Sequence, residues 1–306
     1  MIGPLKGEHA MKKRIVLTVA ALALAGLAAV GSPAADGREK SDKYKVEDKD
    51  RIEQTLAFKD AAAPREVKID NVFGAIEVRG ADRADVALVA AKTIRAVDTD
   101  AVRRAKDEVK LDIRTQGGTI DVYVDGPFRC QTRDCPGIKD RDFGYEVHYD
   151  FVLTVPRGTA LALKTVTGGD VTVGGVGGRF DVSNVNGKIL LEDVDGGGEA
   201  HTVNGPVRVA FARNPKSDCV FRTINGDVDL SFRDGLSADL KMKTMNGEAF
   251  SDFDVKSFPA PASAPESKNG KLVYRRGAFS HVRVGGGGPE ITCDTLNGDI
   301  LIRKSH

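Results

Sequence analysis

Phe221-Arg222-Thr223-Ile224-Asn225-Gly226-Asp227-Val228-Asp229-Leu230 is the stretch on which the reading of the whole chain turns. It is one copy of a phrase: apolar, any residue, Thr or Asn, apolar, Asn, Gly, any residue, apolar, any residue, apolar. The Asn-Gly pairs of its copies are Asn186-Gly187, Asn204-Gly205, Asn225-Gly226, Asn246-Gly247 and Asn297-Gly298, spaced 18, 21, 21 and 51 residues apart. Self-similarity at a short period is the mark of a repeat architecture.

Asn and Gly both tolerate positive φ, so each pair reads as a sharp corner made without strain. A second turn signal lies between successive corners: Gly174-Gly175 with Gly177-Gly178, Gly196-Gly197-Gly198, Asn214-Pro215 and Asp234-Gly235. Each period is therefore two short strands and two turns. A hairpin meander would use Asn-Gly as a type I′ turn. A β-solenoid would use it as the corner of a coil, with equivalent residues stacked about 4.8 Å apart. Thr165, Asn184, Thr202, Thr223, Thr244 and Thr295 recur at one offset. A meander has no reason to keep one polar identity in one column, whereas stacking gains hydrogen bonds from it, so the solenoid is the preferred reading. The apolar columns before and after the corner are expected to form its core strip.

Working outward, Val67 to Val78 is a degenerate first copy with Asn71 in the Thr column and Phe73-Gly74 at the corner. Val86, Leu88 and Ala90 continue as a strand. Asp98 or Thr99 can cap a helix whose Val102, Ala105 and Val109 share one face, placed to cover an edge or end of the sheet. Leu111 to Val124 reads as another copy with Gly117-Gly118 at the corner, and Glu146 to Val155 reads as a strand. Loops are expected at 126–142 and at 256–272, the latter rich in Pro, Ala and Ser. The longer corner spacings, including 246 to 297, fit two periods carrying such insertions.

The first residues read as a processing signal, not as fold. Lys12-Lys13-Arg14 is a basic leader, Ile15 to Val30 an apolar run, and Gly31-Ser32-Pro33-Ala34-Ala35 a cleavage-compatible end. Residues 1–35 are thus expected to be a signal peptide, with Met11 as the natural start, followed by a charged spacer over 36–52 and the β-domain over 53–304. Membrane contact is expected only through the signal sequence before cleavage.

Of 306 residues, 41% are hydrophobic, 6% aromatic and 34 are Gly, with no Trp, a composition of many turns and thin layers. Removing 1–34 takes four basic and one acidic side chain from totals of 45 and 44, leaving 41 and 43, a net of −2. That balance gives no reason to expect nucleic acid as a partner. Export makes disulfides permissible, and Cys130 and Cys135 can staple one loop. Cys219 and Cys293 read as small buried hydrophobes in or beside repeat strands.

The phrase Thr-hydrophobic-Asn-Gly-Asp-hydrophobic, repeated behind a signal sequence and ending in Leu296-Asn297-Gly298-Asp299-Ile300-Leu301-Ile302, resembles the bacterial putative-adhesin family of β-strand-repeat proteins, a domain of unknown function. The resemblance spans roughly residues 65–304. It implies a single-stranded, right-handed β-helix-like solenoid of about 20-residue coils, all-β but for one short helix, in the cell envelope. It carries no catalytic residues to transfer.

Candidate chemistry is sparse. Gly174 to Asp181 superficially resembles a calcium-binding β-roll nonapeptide, but Arg179 sits where that motif needs Asp. Asp170, Asp227, Asp299 and Glu248 follow corner glycines and would bind calcium only as a converging column; with Lys188 and Pro206 interrupting, they read as a solvated edge. His148, His201 and His281 fall in different strands without metal spacing, and Gly285 to Gly288 lacks the Lys of a phosphate loop. Asp227, Asp229 and Arg222 can be imagined on one face as a glycosidase-like group. The expectation is a noncatalytic exported scaffold without a cofactor, binding an envelope protein, glycan or wall component, with a carbohydrate-active enzyme or an envelope-stress regulator as alternatives. The surface for binding is expected on the strand faces between corners.

Overall fold

A computed structural model of the chain describes residues 43–60, 62–129, 142–257, 266–268, 271–273 and 279–305. Residues 1–35, expected to be a signal peptide, and the expected Cys130–Cys135 pair lie outside the described residues. Among the described residues the chain is nearly all β, with one helix and two large sheets, of ten and eleven strands.

Successive strands of the repeat alternate between the sheets. Sheet I runs in the order Val46–Leu56, Val86–Ala96, Tyr145–Pro156, Ile76–Ala81, Val171–Gly174, Ile189–Val194, Val207–Phe211, Val228–Phe232, Ile300–Lys304, Ala249–Ser251. Sheet II runs in the order Lys110–Gln116, Thr119–Asp125, Glu66–Asp70, Ala160–Lys164, Phe180–Ser183, Gly198–His201, Cys219–Arg222, Glu290–Asn297, Ala238–Asn246, Ser280–Val284, Val255–Ser257. Pairing within the repeat is parallel and joins equivalent phrase positions: Val207 pairs Val228 and Val228 pairs Ile300, while Phe221 pairs Cys293. Parallel pairs cannot be joined by hairpin turns, so the meander reading is excluded for this part of the chain.

Inward residues alternate with outward ones along each strand, as the pleat requires. Val228, Leu230 and Phe232 from sheet I meet Cys219, Phe221 and Met242 from sheet II in a continuous core. Large and small residues share the layers. Gly198 and Ala200 stand between Phe180 and Phe221 and let those rings stack 6.3 Å apart, while Phe211 and Phe232 stack at 5.1 Å. Cys219 and Cys293 are free and buried, as read from the sequence, and burial pushes both thiols up.

The Asn-Gly corners are built by three columns. Each Thr hydroxyl donates to the corner carbonyl of the adjoining coil: Thr202 to Gly187 (3.0 Å), Thr223 to Gly205 (2.8 Å), Thr295 to Gly226 (2.9 Å) and Thr244 to Gly298 (2.8 Å). Asn184, in the same column, donates its amide to Gly169 O at 3.1 Å. The Asn side chains form an amide ladder at 2.7 Å per step, Asn204 to Asn186, Asn225 to Asn204, Asn297 to Asn225 and Asn246 to Asn297. The Gly column is packed backbone on backbone: a Cβ on Gly226 would lie 2.2 Å from Gly205 O. Replacing Thr295 by the isosteric Val removes a buried donor from the Gly226 carbonyl and is expected to cost about 1–2 kcal/mol in a urea melt.

Four expectations are corrected. The copy at 297 does not follow the copy at 246 along the stack; it lies between 225 and 246, with Asn297 bridged to Asn225 on one side and paired to Asn246 on the other. Gly117-Gly118 is not a corner, because the strands around it pair antiparallel within sheet II as a hairpin. The charged spacer ends earlier than residue 52: Val46–Leu56 is the edge strand of sheet I, antiparallel to Val86–Ala96, and its charges protect an edge. Ion pairs Arg95–Glu47 (3.1 Å) and Lys106–Asp48 (2.8 Å) tie it down. Finally, the 256–272 segment contains an antiparallel strand pair, Glu266–Lys268 with Lys271–Val273.

The helix, Thr99–Glu108, forms where expected. Asp98 caps it by accepting from Ala101 N at 2.7 Å, and Ala101, Val102 and Ala105 join the core at the end of the stack where the chain begins.

Candidate functional site

Counted from the buried Phe221, the pleat turns Arg222 outward, Thr223 inward and Ile224 outward. The same holds in the neighbouring coils, so the column just before Asn is not core. Ile224 is 44% exposed, Leu296 38% and Met245 55%, whereas Phe221, Cys293 and Met242, three residues earlier, are buried. This corrects the expectation that every apolar column flanking the corner belongs to the core strip.

Val203, Ile224, Leu296 and Met245 thus form one wall of an open groove running along the stack. The opposite side carries His201, Arg222, Asp294 and Lys243, with Glu199 beside them, and buried Thr202, Thr223 and Thr295 form the floor. The groove holds about 460 Å³, within the ordinary range for ligand pockets. Charge is mixed: Asp294 stands in register between Arg222 and Lys243, and Glu199 also lines the groove. Lys243 also lies over the Phe279 ring, 5.6 Å from its centroid. Beyond the apolar wall stands the Asn ladder. Asn204, Asn225 and Asn297 each commit one donor and one acceptor to their neighbours in the ladder, leaving further hydrogen-bonding capacity toward solvent. A second depression of about 180 Å³ at Asp112, Arg114, Asp121 and Tyr123 is smaller than ligand pockets usually are.

The remaining candidates resolve into structure. Asp170 accepts from Lys188 N, Asp227 from Asp299 N and Asp299 from Glu248 N, each at 2.9 Å. These carboxylates brace the backbone of the next coil; they do not converge as a ligand set. Asp229 pairs with Arg303 at 2.8 Å on sheet I, while Arg222 belongs to sheet II, so the imagined Asp227, Asp229 and Arg222 group is divided between two sheets. His148 lies tilted against Phe73, ring centroids 5.8 Å apart, and His281 pairs opposite Lys241, far apart in the sheet order. No cluster of three or more metal-ligating side chains occurs among the described residues.

One pairing escaped sequence reading. Ser183 Oγ and His201 Nε2 stand 2.9 Å apart on adjacent coils, although 18 residues separate them. The pair lies on an exposed strand face, and no third group orients the imidazole among the described residues. The neighbouring Asn184 amide is spent on His201 O, so it offers no oxyanion site. A nucleophilic triad needs both.

No family model and no curated protein matches the chain. Among solved structures it is similar to a putative cell adhesion protein from Clostridium sporogenes ATCC 15579, at 9% identity and a TM-score of 0.37, over 84% of this chain and all (100%) of the other. A putative adhesin from Bacteroides fragilis NCTC 9343 gives 10% and 0.24 over 84% and 97%. A putative lipid binding protein from Parabacteroides distasonis ATCC 8503 gives 9% and 0.27 over the same shares, 84% and 97%. At these values likeness assigns neither family nor function. The groove must be judged on its own residues.

Proposed function

We propose that the chain is a noncatalytic cell-envelope protein, exported by residues 1–35, whose outer groove holds an extended ligand, a glycan or a polypeptide segment. The fold we assign is a right-handed β-solenoid of about 20-residue coils; parallel strand connections overwhelmingly take that hand. The observation that carries the functional reading is the apolar wall of exposed Ile224, Leu296 and Met245 with half-buried Val203, set between an amide ladder and charges of both signs. Exposed apolar side chains in register are a binding surface more often than an accident. Their spacing is that of the strands, so a ligand lying along the stack meets an equivalent apolar and amide contact at every coil. Among the described residues no helix is long and apolar enough to cross a membrane.

The test is binding of the mature protein to envelope glycans and to peptides from envelope proteins, with wild type and an Ile224→Asp/Leu296→Asp double variant compared. Both positions face solvent, so stability should stay within about 0.5 kcal/mol per site. Ligand affinity should fall by tenfold or more, the loss expected when central apolar contacts are replaced by charge. Unaltered affinity in the folded double variant would take the groove out of consideration.

A further inference from the structure

The Asn-Gly ladder has one incomplete rung, and we infer that this rung, Asn246-Gly247, is a site of spontaneous deamidation from which the other four described pairs are protected. Asn-Gly is the dipeptide most open to this reaction, because glycine has no side chain to hinder attack by its own backbone nitrogen. The Gly247 nitrogen, losing its proton to water, would attack the Asn246 side-chain carbonyl carbon. A C–N bond forms, the C–N bond to the amide breaks and ammonia leaves, giving a succinimide. Water then opens the ring at either carbonyl to yield aspartate or isoaspartate.

Each interior pair is restrained at both reacting groups. The glycine nitrogens are engaged: Gly187 N donates to Asn204 O (3.0 Å), Gly205 N to Asn225 O (2.9 Å), Gly226 N to Asn297 O (2.9 Å) and Gly298 N to Asn246 O (3.0 Å). The side-chain oxygens are engaged as well, since Oδ1 of Asn186, Asn204, Asn225 and Asn297 each accepts from the next amide at 2.7 Å. Attack therefore requires two hydrogen bonds to open together, within a stack whose coils hold each other.

Asn246 is the last rung of the ladder, and among the described residues the strand beyond it in sheet II, Ser280–Val284, pairs only with residues 238–242 and supplies neither partner at the corner. Its Nδ2 donates to Asn297 Oδ1, but among the described residues its own Oδ1 receives no donor and Gly247 N finds no acceptor. Gly247 is exposed, whereas Gly187, Gly205, Gly226 and Gly298 are only partly so. The coil's parallel partners lie on one side, Ala249–Ser251 against Ile300–Lys304 and Ala238–Asn246 against Glu290–Asn297, and on the other side, among the described residues, only the antiparallel Ser280–Val284 is paired, to Ala238–Met242 and so short of the corner. Conversion would remove the donor to Asn297 and place a carboxylate beside Met245 at the end of the groove.

The full chain incubated in mildly alkaline buffer and digested with trypsin tests this directly. Asn246 falls in the peptide Thr244 to Lys256, separate from the peptides carrying the other pairs. The mass gain from NH2 to OH, and isoaspartate by enzymatic methylation, should accumulate at Asn246 more than about tenfold faster than at Asn186, Asn204, Asn225 or Asn297, as restricted local opening demands. In the urea-unfolded chain the five should react at comparable rates. The inference is overturned if the interior pairs react as fast as Asn246 in the folded protein, or if the unfolded chain keeps the native ranking.

Discussion

Gly298→Ala is expected to destabilise the protein by about 3 kcal/mol, lowering its melting temperature by roughly 6–12 °C for a chain of this size. A Cβ at that position would lie 2.0 Å from the carbonyl oxygen of Gly226 and 2.5 Å from its carbon. Those atoms are backbone, fixed in turn by the Thr295 hydroxyl on that same oxygen at 2.9 Å, and cannot swing aside as a side chain would. Relief requires the two coils to part at the corner, which stretches the Asn297–Asn225 rung and the Gly226 N to Asn297 O bond together. Gly174→Ala is the control: nothing lies within 4 Å of its added Cβ, and stability should move by less than about 0.5 kcal/mol. Thermal and urea melts of the two variants decide the matter. If Gly298→Ala melted with the wild type, the corners would not be stacked backbone to backbone.

Two reasons meet in that glycine, since Gly298 also takes a positive φ of 152°. The sequence made Asn-Gly legible as a corner, and a corner it is, but positive φ is not what all its copies share: Gly205, Gly226 and Gly298 take it, at 151°, 159° and 152°, and Gly187 and Gly247 do not. The only non-glycine at positive φ among the described residues is Asp193, so no Asn of the ladder uses the left-handed region. Asn is there for its amide, which can donate to one neighbour and accept from another in an endless row. Gly is there because a neighbouring backbone occupies the place of its Cβ. Both demands come from the adjoining coil, and a single copy of the phrase does not display them.

The groove was legible in principle. Strict alternation from Phe221 places Thr223 inward and Ile224 outward, so the apolar residue before Asn had to face water. Its hydrophobicity argued for core and obscured the pleat. The edge strand was hidden in the opposite way, because Val46–Leu56 is charged enough to pass for a spacer. Sheet edges need such charge, and composition cannot tell an edge from a tail. The Ser183–His201 contact depends on stacking register, which no local pattern reports.

What repetition could not encode is the order of the coils. The copies at 225, 246 and 297 carry the same contacts, so Asn225 can be followed by Asn246 or by Asn297 with equal satisfaction of Thr, Asn and Gly. The copies at 246 and 297 stand 51 residues apart in sequence, yet the strands of the 297 copy pair between those of the 225 and 246 copies. Truncation after Gly288 is therefore expected to do more than shorten the stack. A sequential order would lose one terminal layer and leave the rest folded. Here the deletion removes the layer between Cys219–Arg222 with Val228–Phe232 on one side and Ala238–Asn246 with Ala249–Ser251 on the other. Ile291, Ile300 and Ile302, all at most 1% exposed, would be lost, worth about 5–9 kcal/mol of burial, comparable to the whole stability of an ordinary domain. The strands at 238–251 would be left without their parallel partners, while the coils up to Phe232 keep theirs. Limited proteolysis of the truncated chain should cut throughout 236–288 and leave a resistant core ending near residue 232, with a large drop in the melting temperature. Retention of a protected 238–257 segment would mean that the 246 coil can close directly on the 225 coil, and that the intercalated order is a choice the chain does not need.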